Sequence, residues 1–205
     1  MRKRLSIVIM LLIFGCVRPA KTPHLTVTTP AEDKTSMEIN TLEVLKSDLE
    51  LNQIEGRWYY KGKRYNGYAL KFHSNGILGE RLGFINGSRE GLAQQWSANG
   101  VLRVECTYRN NRLDGLYKTW WENAERSKEA HYESGILNGE EKQWYPNGQL
   151  AKLRNIVNGK EEGLQKGWLK SGKIYVNYEV KNGRIYGMRR TNLCYQLEDE
   201  VVKRD

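Results

Sequence analysis

The sequence predicts an all-β protein, an extended antiparallel meander of 24-residue β-hairpins with a short helix leading into it. Three observations carry this. Glycine recurs at Gly67, Gly91, Gly115, Gly139, Gly163 and Gly187, every step being 24 residues. Five places after the first five of these stand Phe72, Trp96, Trp120, Trp144 and Trp168. Turn-forming pairs keep the same phase, at Asn75-Gly76, Asn99-Gly100, Asn147-Gly148 and Ser171-Gly172, and again at Asn86-Gly87, Asn110-Asn111, Ser134-Gly135, Asn158-Gly159 and Asn182-Gly183. Composition agrees: 39% of the 205 residues are hydrophobic, but 12 Tyr, 6 Trp and 3 Phe sustain that share beside 20 Gly, which suits thin β structure better than a thick aliphatic core.

At the N-terminus, Arg2, Lys3 and Arg4 precede an apolar run from Leu5 to Phe14, then Gly15 and Cys16. Such a run is too short for a hydrocarbon core that needs about 20 helical residues, so residues 1–15 read as a secretory signal peptide. The tetrad Ile13-Phe14-Gly15-Cys16 resembles the bacterial lipobox, with Phe14 bulkier than is usual there. The resemblance implies that Cys16 carries a diacylglyceryl group and becomes the first residue of the mature chain. Two or three acyl chains, at ~0.8 kcal/mol per buried methylene, anchor a protein stably. Removing the three signal-peptide cations lowers the formal charge from +9 to +6. The remaining Lys and Glu are interspersed, as on a solvated sheet face, and do not cluster as a nucleic-acid site would.

Residues 16–35 hold Pro19, Pro23 and Pro30 without apolar periodicity and read as a flexible tether, reaching at most roughly 60 Å when extended. In the lead-in, residues 36–55, Thr35-Ser36-Met37-Glu38 has capping-box spacing and Leu42, Leu45 and Leu49 recur at helical intervals, which predicts a short helix over about 37–51.

The repeat domain spans residues 56–187. In its second unit Leu92 to Ser97 forms one strand, Asn99-Gly100 a tight primed turn, and Val101 to Arg109 the returning strand. Period-two alternation places Leu92 and Trp96 on an apolar face with Leu102, Val104, Cys106 and Tyr108, and Gln95, Arg103, Glu105 and Thr107 on a polar one. The third unit has Ala124-Glu125 where Asn-Gly is expected, which predicts a different turn. Gly56-Arg57-Trp58-Tyr59-Tyr60 reads as a half repeat, and residues 188–205 as a degenerate cap suited to a sheet end.

The phrase Gly-Leu-x-x-x-Trp-x-x-Asn-Gly, followed by Tyr and Asn-Gly-x-x-x-Gly, resembles the bacterial variant of the MORN repeat over about 56–187. The resemblance implies β-hairpin units in an extended twisted sheet, in a family named for membrane occupation and recognition. Many bacterial proteins with this variant are labelled antitoxin components, which sits badly with a secretion signal.

Catalytic and metal chemistry is not expected. His24, His73 and His131 lack partners at ligand spacing, Glu140-Glu141 and Glu161-Glu162 fall where exposed charge is the default, and nucleophile-elbow and phosphate-loop motifs are missing. No cofactor or metal is expected. Cys106 and Cys194 lie about seven strands apart, roughly 34 Å at ~4.8 Å per strand, and read as separate thiols. The leading expectation is a non-catalytic, lipid-anchored envelope scaffold that binds a protein partner. Phe72, Trp96, Trp120, Trp144 and Trp168 form its candidate ladder, for binding or for packing, and Gly76, Gly100, Gly148 and Gly172 are its turn glycines. The alternatives are a toxin-neutralising or immunity role, and phospholipid binding by the repeats.

Overall fold

The computed structural model describes residues 38–188. The expected signal peptide, Cys16, the tether, and the cap from residue 189 onward with Cys194 lie outside the described residues.

Five hairpins follow one another in a single open sheet. They are β5 (Gly67–Phe72) with β6 (Leu78–Ile85), β8 (Gly91–Trp96) with β9 (Leu102–Arg109), β10 (Arg112–Trp120) with β11 (Arg126–Glu133), β13 (Gly139–Trp144) with β14 (Leu150–Val157), and β16 (Gly163–Trp168) with β17 (Ile174–Lys181), after which β18 (Arg184–Met188) pairs with β17. Each hairpin pairs antiparallel with the next, so the sheet is a meander in sequence order. Short arms β7 (Ser88–Arg89), β12 (Ile136–Leu137) and β15 (Lys160–Glu161) extend the connections between hairpins.

The two turn families differ. Between hairpins, both central residues have positive φ, as in Asn86 (49°) with Gly87 (75°) and Asn158 (50°) with Gly159 (78°), so these are the primed two-residue turns whose twist matches the strands. The tips within hairpins are not the tight primed turns expected. At Ser97–Gly100 the Gly100 amide donates to the Ser97 carbonyl at 2.9 Å, the Ser97 amide donates to the Val101 carbonyl at 2.8 Å, and Gly100 alone has positive φ. Asn75, Asn123 and Asn147 are needed for their side chains: each Oδ1 accepts the amide two residues on at 3.2 Å, an Asx turn.

The third tip keeps this turn despite its altered sequence. Ala124 takes the glycine position at φ 64°, and its amide donates to the Trp121 carbonyl at 3.0 Å like its counterparts. Left-handed backbone costs a residue with a Cβ about 1–2 kcal/mol. Ala124→Gly should therefore stabilise the protein by about 1 kcal/mol, less the extra unfolded-state entropy of glycine. An unchanged or lower urea midpoint would show that the strain is not there.

The lead-in is not helical. Residues Glu43–Leu45 form strand β1, which pairs in parallel with β5, Lys46–Asp48 make one 3₁₀ turn, and Glu50–Asn52 form β2. The first hairpin has an open edge whose backbone groups need partners, and β1 supplies them; the Leu42 carbonyl accepts from the Tyr68 amide at 2.7 Å. Strand β2 then joins β3 (Arg57–Tyr60) and β4 (Lys63–Arg64) in a separate three-stranded sheet. The half repeat seen in the sequence is therefore a hairpin that leaves the main sheet and packs across it.

That packing makes the core. Leu49, Tyr65, Trp58 and Tyr60 of the small sheet and its flanks meet Ala69, Leu82, Phe84, Ala93 and Cys106 of the first two repeats. Phe84 is completely buried, with the Trp58 ring at 6.1 Å and the Tyr65 ring at 5.7 Å. The covered side of the main sheet is called here the inner face.

Candidate binding surface

Strand register assigns each repeat position to a face. On the inner face, Ala69, Ala93, Tyr117, Glu141 and Gln165 share one position of the repeat, and Leu82, Cys106, Ala130, Arg154 and Tyr178 share its cross-strand partner. This middle row is apolar in the first repeats and polar in the last two. Glu141 is 1% exposed and accepts from Lys128 Nζ at 2.7 Å and Arg154 Nε at 2.5 Å. Burial works against its charge, but the Lys128 and Arg154 hydrogen bonds outweigh it and hold the carboxyl below the usual range. The network continues through Arg154 to Glu161 at 3.9 Å, and Tyr178 Oη donates to Glu161 at 2.8 Å. Glu141 is thus not the exposed inter-repeat charge that its neighbour Glu140 is. Its repeat position, shared with Ala69 and Ala93, was the signal that could have shown this.

The outer face carries two rows. One is charged and alternating: Gln94, Glu105, Lys118, Glu129 and Lys142 are cross-strand neighbours in turn, and opposite charges so placed support the sheet. The other sets Leu92, Leu116 and Leu164 at one repeat position, with Glu140 interrupting between the last two. These leucines are 45%, 49% and 39% exposed. Leu92 faces Thr107 across the strand pair, while its neighbour Ala93 faces Cys106 inward. The sequence-based assignment of Leu92 to the apolar inner face, and of Gln95 to the polar one, is therefore reversed: Gln95 pairs with Val104. A β-bulge between Gln95 and Trp96 breaks the alternation from which that assignment was counted, and it recurs at the same place in every hairpin.

The aromatic ladder sits at these bulges. Trp96, Trp144 and Trp168 stand opposite Leu102, Leu150 and Ile174, Trp120 stands opposite Arg126, and all four are half-buried. Phe72, opposite Leu78, is exposed. The turn glycines Gly76, Gly100, Gly148 and Gly172 occupy the tips with φ between 80° and 86°.

Side chains at the tips tie each hairpin to the next, a feature that periodicity alone did not reveal. His73 Nε2 lies 2.9 Å from the Trp96 carbonyl, Trp121 Nε1 donates to that of Trp144 at 3.0 Å, and Tyr145 Oη donates to that of Trp168 at 2.8 Å. The second repeat has Ser97 there, too short to reach, and Arg103 Nε donates to the Trp120 carbonyl at 2.8 Å instead. Asn75 and Asn123 add amide bonds to the Ala98 and Pro146 carbonyls, each at 2.7 Å. His73 is thus a bridge between hairpins and not a free surface histidine.

A one-dimensional array of hairpins, each bonded only to its neighbours, defines a β-hairpin repeat protein. Residues 89–110 and 137–158 match the family model described as the MORN repeat variant. The two segments share one phase, two repeats apart, each running from the connecting arm through a hairpin to the next primed turn. Repeats of this family are generally protein- or membrane-binding modules, and the family is not an enzymatic one. No curated protein matches the chain.

Proposed function

We propose that this chain is a non-catalytic scaffold of the bacterial cell envelope, anchored by acyl chains on Cys16, whose outer face docks an extended segment of a protein partner. The observation that supports this most is the row Leu92, Leu116 and Leu164. Exposed leucines repeated at one position along a sheet, even with Glu140 between the second and third, are an apolar feature that folding does not require. Two strands per repeat at ~4.8 Å each set Leu92 and Leu116 about 10 Å apart, a spacing that suits a chain laid across the strands. The flanking Lys and Glu row supplies polar contacts and register for such a segment.

Two measurements test the two halves of this reading. A photo-crosslinking residue at Leu116 should trap one discrete partner in membranes, and Leu92→Glu with Leu164→Glu should abolish the adduct while the circular dichroism stays unchanged. An unaltered adduct in the folded double variant would remove the outer face as the interface. For the anchor, Cys16→Ser should shift the protein from the membrane to the soluble fraction, and mass spectrometry of the wild type should find a mature N-terminus at Cys16 bearing a thioether-linked diacylglycerol. An unmodified Cys16 in the mature protein would end that half.

A further inference from the structure

A cleft of about 170 Å³ opens where the small sheet meets the inner face of the second repeat. Its apolar lining is Leu82, Ala93, Val104 and Cys106, with Trp58 from the small sheet. Burial pushes the Cys106 thiol up to about 11, so at neutral pH it is an uncharged part of that lining. The polar groups stand on opposite sides of the Leu82, Ala93 and Cys106 row. On one side Glu80 is already satisfied, ion-paired with Lys46 and accepting from Gln95 Nε2 at 2.9 Å. On the other, four residues further along β6, Phe84 pairs with Arg89. The Arg89 guanidinium lies 5.3 Å from the Tyr108 ring centroid and makes no ion pair among the described residues.

The lining therefore carries one cation in excess, at one end of a partly enclosed space in which the apolar row is flanked by Gln95 and by the side chains of Tyr108 and Tyr117. A space of this volume is large enough for one aromatic ring, and arginine is the side chain best matched to a carboxylate. We infer that this cleft binds a small aromatic carboxylate, its ring against Trp58 and the Leu82 to Cys106 row and its carboxylate on Arg89. The site is separate from the outer-face leucines and does not depend on their role.

Isothermal titration of the full chain with benzoate, and with benzamide as its neutral counterpart, tests this. Benzoate should bind saturably at one site per chain, and benzamide about tenfold more weakly, the factor that one charge-assisted hydrogen bond supplies. Arg89→Gln should bring benzoate down to the benzamide level, Arg89→Lys should keep part of the difference, and Ala93→Leu should fill the space and remove both. Absence of saturable binding to the wild type, equal affinity for the two probes, or unchanged benzoate binding in Arg89→Gln would overturn the assignment. Should Ala93→Leu fail to fold, the Arg89 pair and the two probes decide alone.

Discussion

Glu141→Ala is expected to cost about 3–5 kcal/mol of folding stability, the loss typical of breaking a buried ion pair from one side. The carboxylate is 1% exposed, and its removal leaves Lys128 and Arg154, both mostly buried, facing one another with only the more distant Glu161, 3.9 Å from Arg154, as counter-charge. The protein itself suggests the compensating change. At the repeat positions of Glu141 and Arg154 the first repeat has Ala69 and Leu82. Glu141→Ala with Arg154→Leu therefore rebuilds a pair that the same sheet already accommodates, and should recover most of the loss, since a buried pair replaced by apolar groups is often neutral. Urea midpoints at constant m decide it. If the single variant lost under ~1 kcal/mol, or the double variant lost more than the single, the network would not be a paired charge site.

The same network makes stability depend on pH in one direction. The ionised form of Glu141 is favoured in the fold, so its contribution is complete above the ordinary carboxylate value of 4.5 and is lost as the pH falls through the lower folded value. Glu141→Gln should flatten the acid side of the stability profile relative to the wild type in that window. The exposed Glu55 and Glu122, also held low by hydrogen bonds, titrate in both proteins and cancel in the comparison.

How far the fold could be read from the sequence follows from which interactions are local. The 24-residue glycines and the turn pairs act within a few residues, so the number, order and pairing of the hairpins were legible. The faces were not, because the bulge before each of Phe72, Trp96, Trp120, Trp144 and Trp168 shifts the count by one residue, and alternation read through it assigns Leu92 to the wrong side. Nor was the lead-in. Leu42, Leu45 and Leu49 have helical spacing, yet the free edge of β5 and the uncovered Ala69 to Cys106 row draw this segment into strand β1 and the approach to the small sheet, and both demands arise from residues far along the chain. The buried ion network could have been found: stacking the repeats puts Glu141 under Ala69 and Ala93, and Arg154 under Leu82 and Cys106. Reading the charged pair Glu140-Glu141 as a unit hid this, since the two residues point to opposite faces.

Phe84→Ala should cost about 3–5 kcal/mol, the usual range for truncating a fully buried phenylalanine, and its effect should be local. Phe84 is the residue on which the small sheet rests, through the edges of Trp58 and Tyr65. Beyond those rings the small sheet is held by hydrogen bonds around the first primed turn: the Trp58 amide donates to the Gly87 carbonyl at 2.8 Å, the Gly87 amide donates to that of Tyr65 at 2.7 Å, the Arg57 guanidinium donates to the Asn86 carbonyl at 3.1 Å and to Ser88 Oγ, and Asn111 Nδ2 donates to the Gly56 carbonyl at 3.2 Å. Gly87 cannot be replaced to compensate, because a Cβ there would lie 2.7 Å from the Trp58 carbonyl oxygen. Repeats bonded only to their neighbours do not transmit such a loss far. Hydrogen exchange should then show the Trp58, Tyr65 and Gly87 amides losing protection in Phe84→Ala, while amides of β13 to β17 keep theirs relative to the variant's own global stability. Uniform loss across all five hairpins would mean that the small sheet is part of one cooperative unit, and that the array does not divide where its covered and uncovered repeats meet.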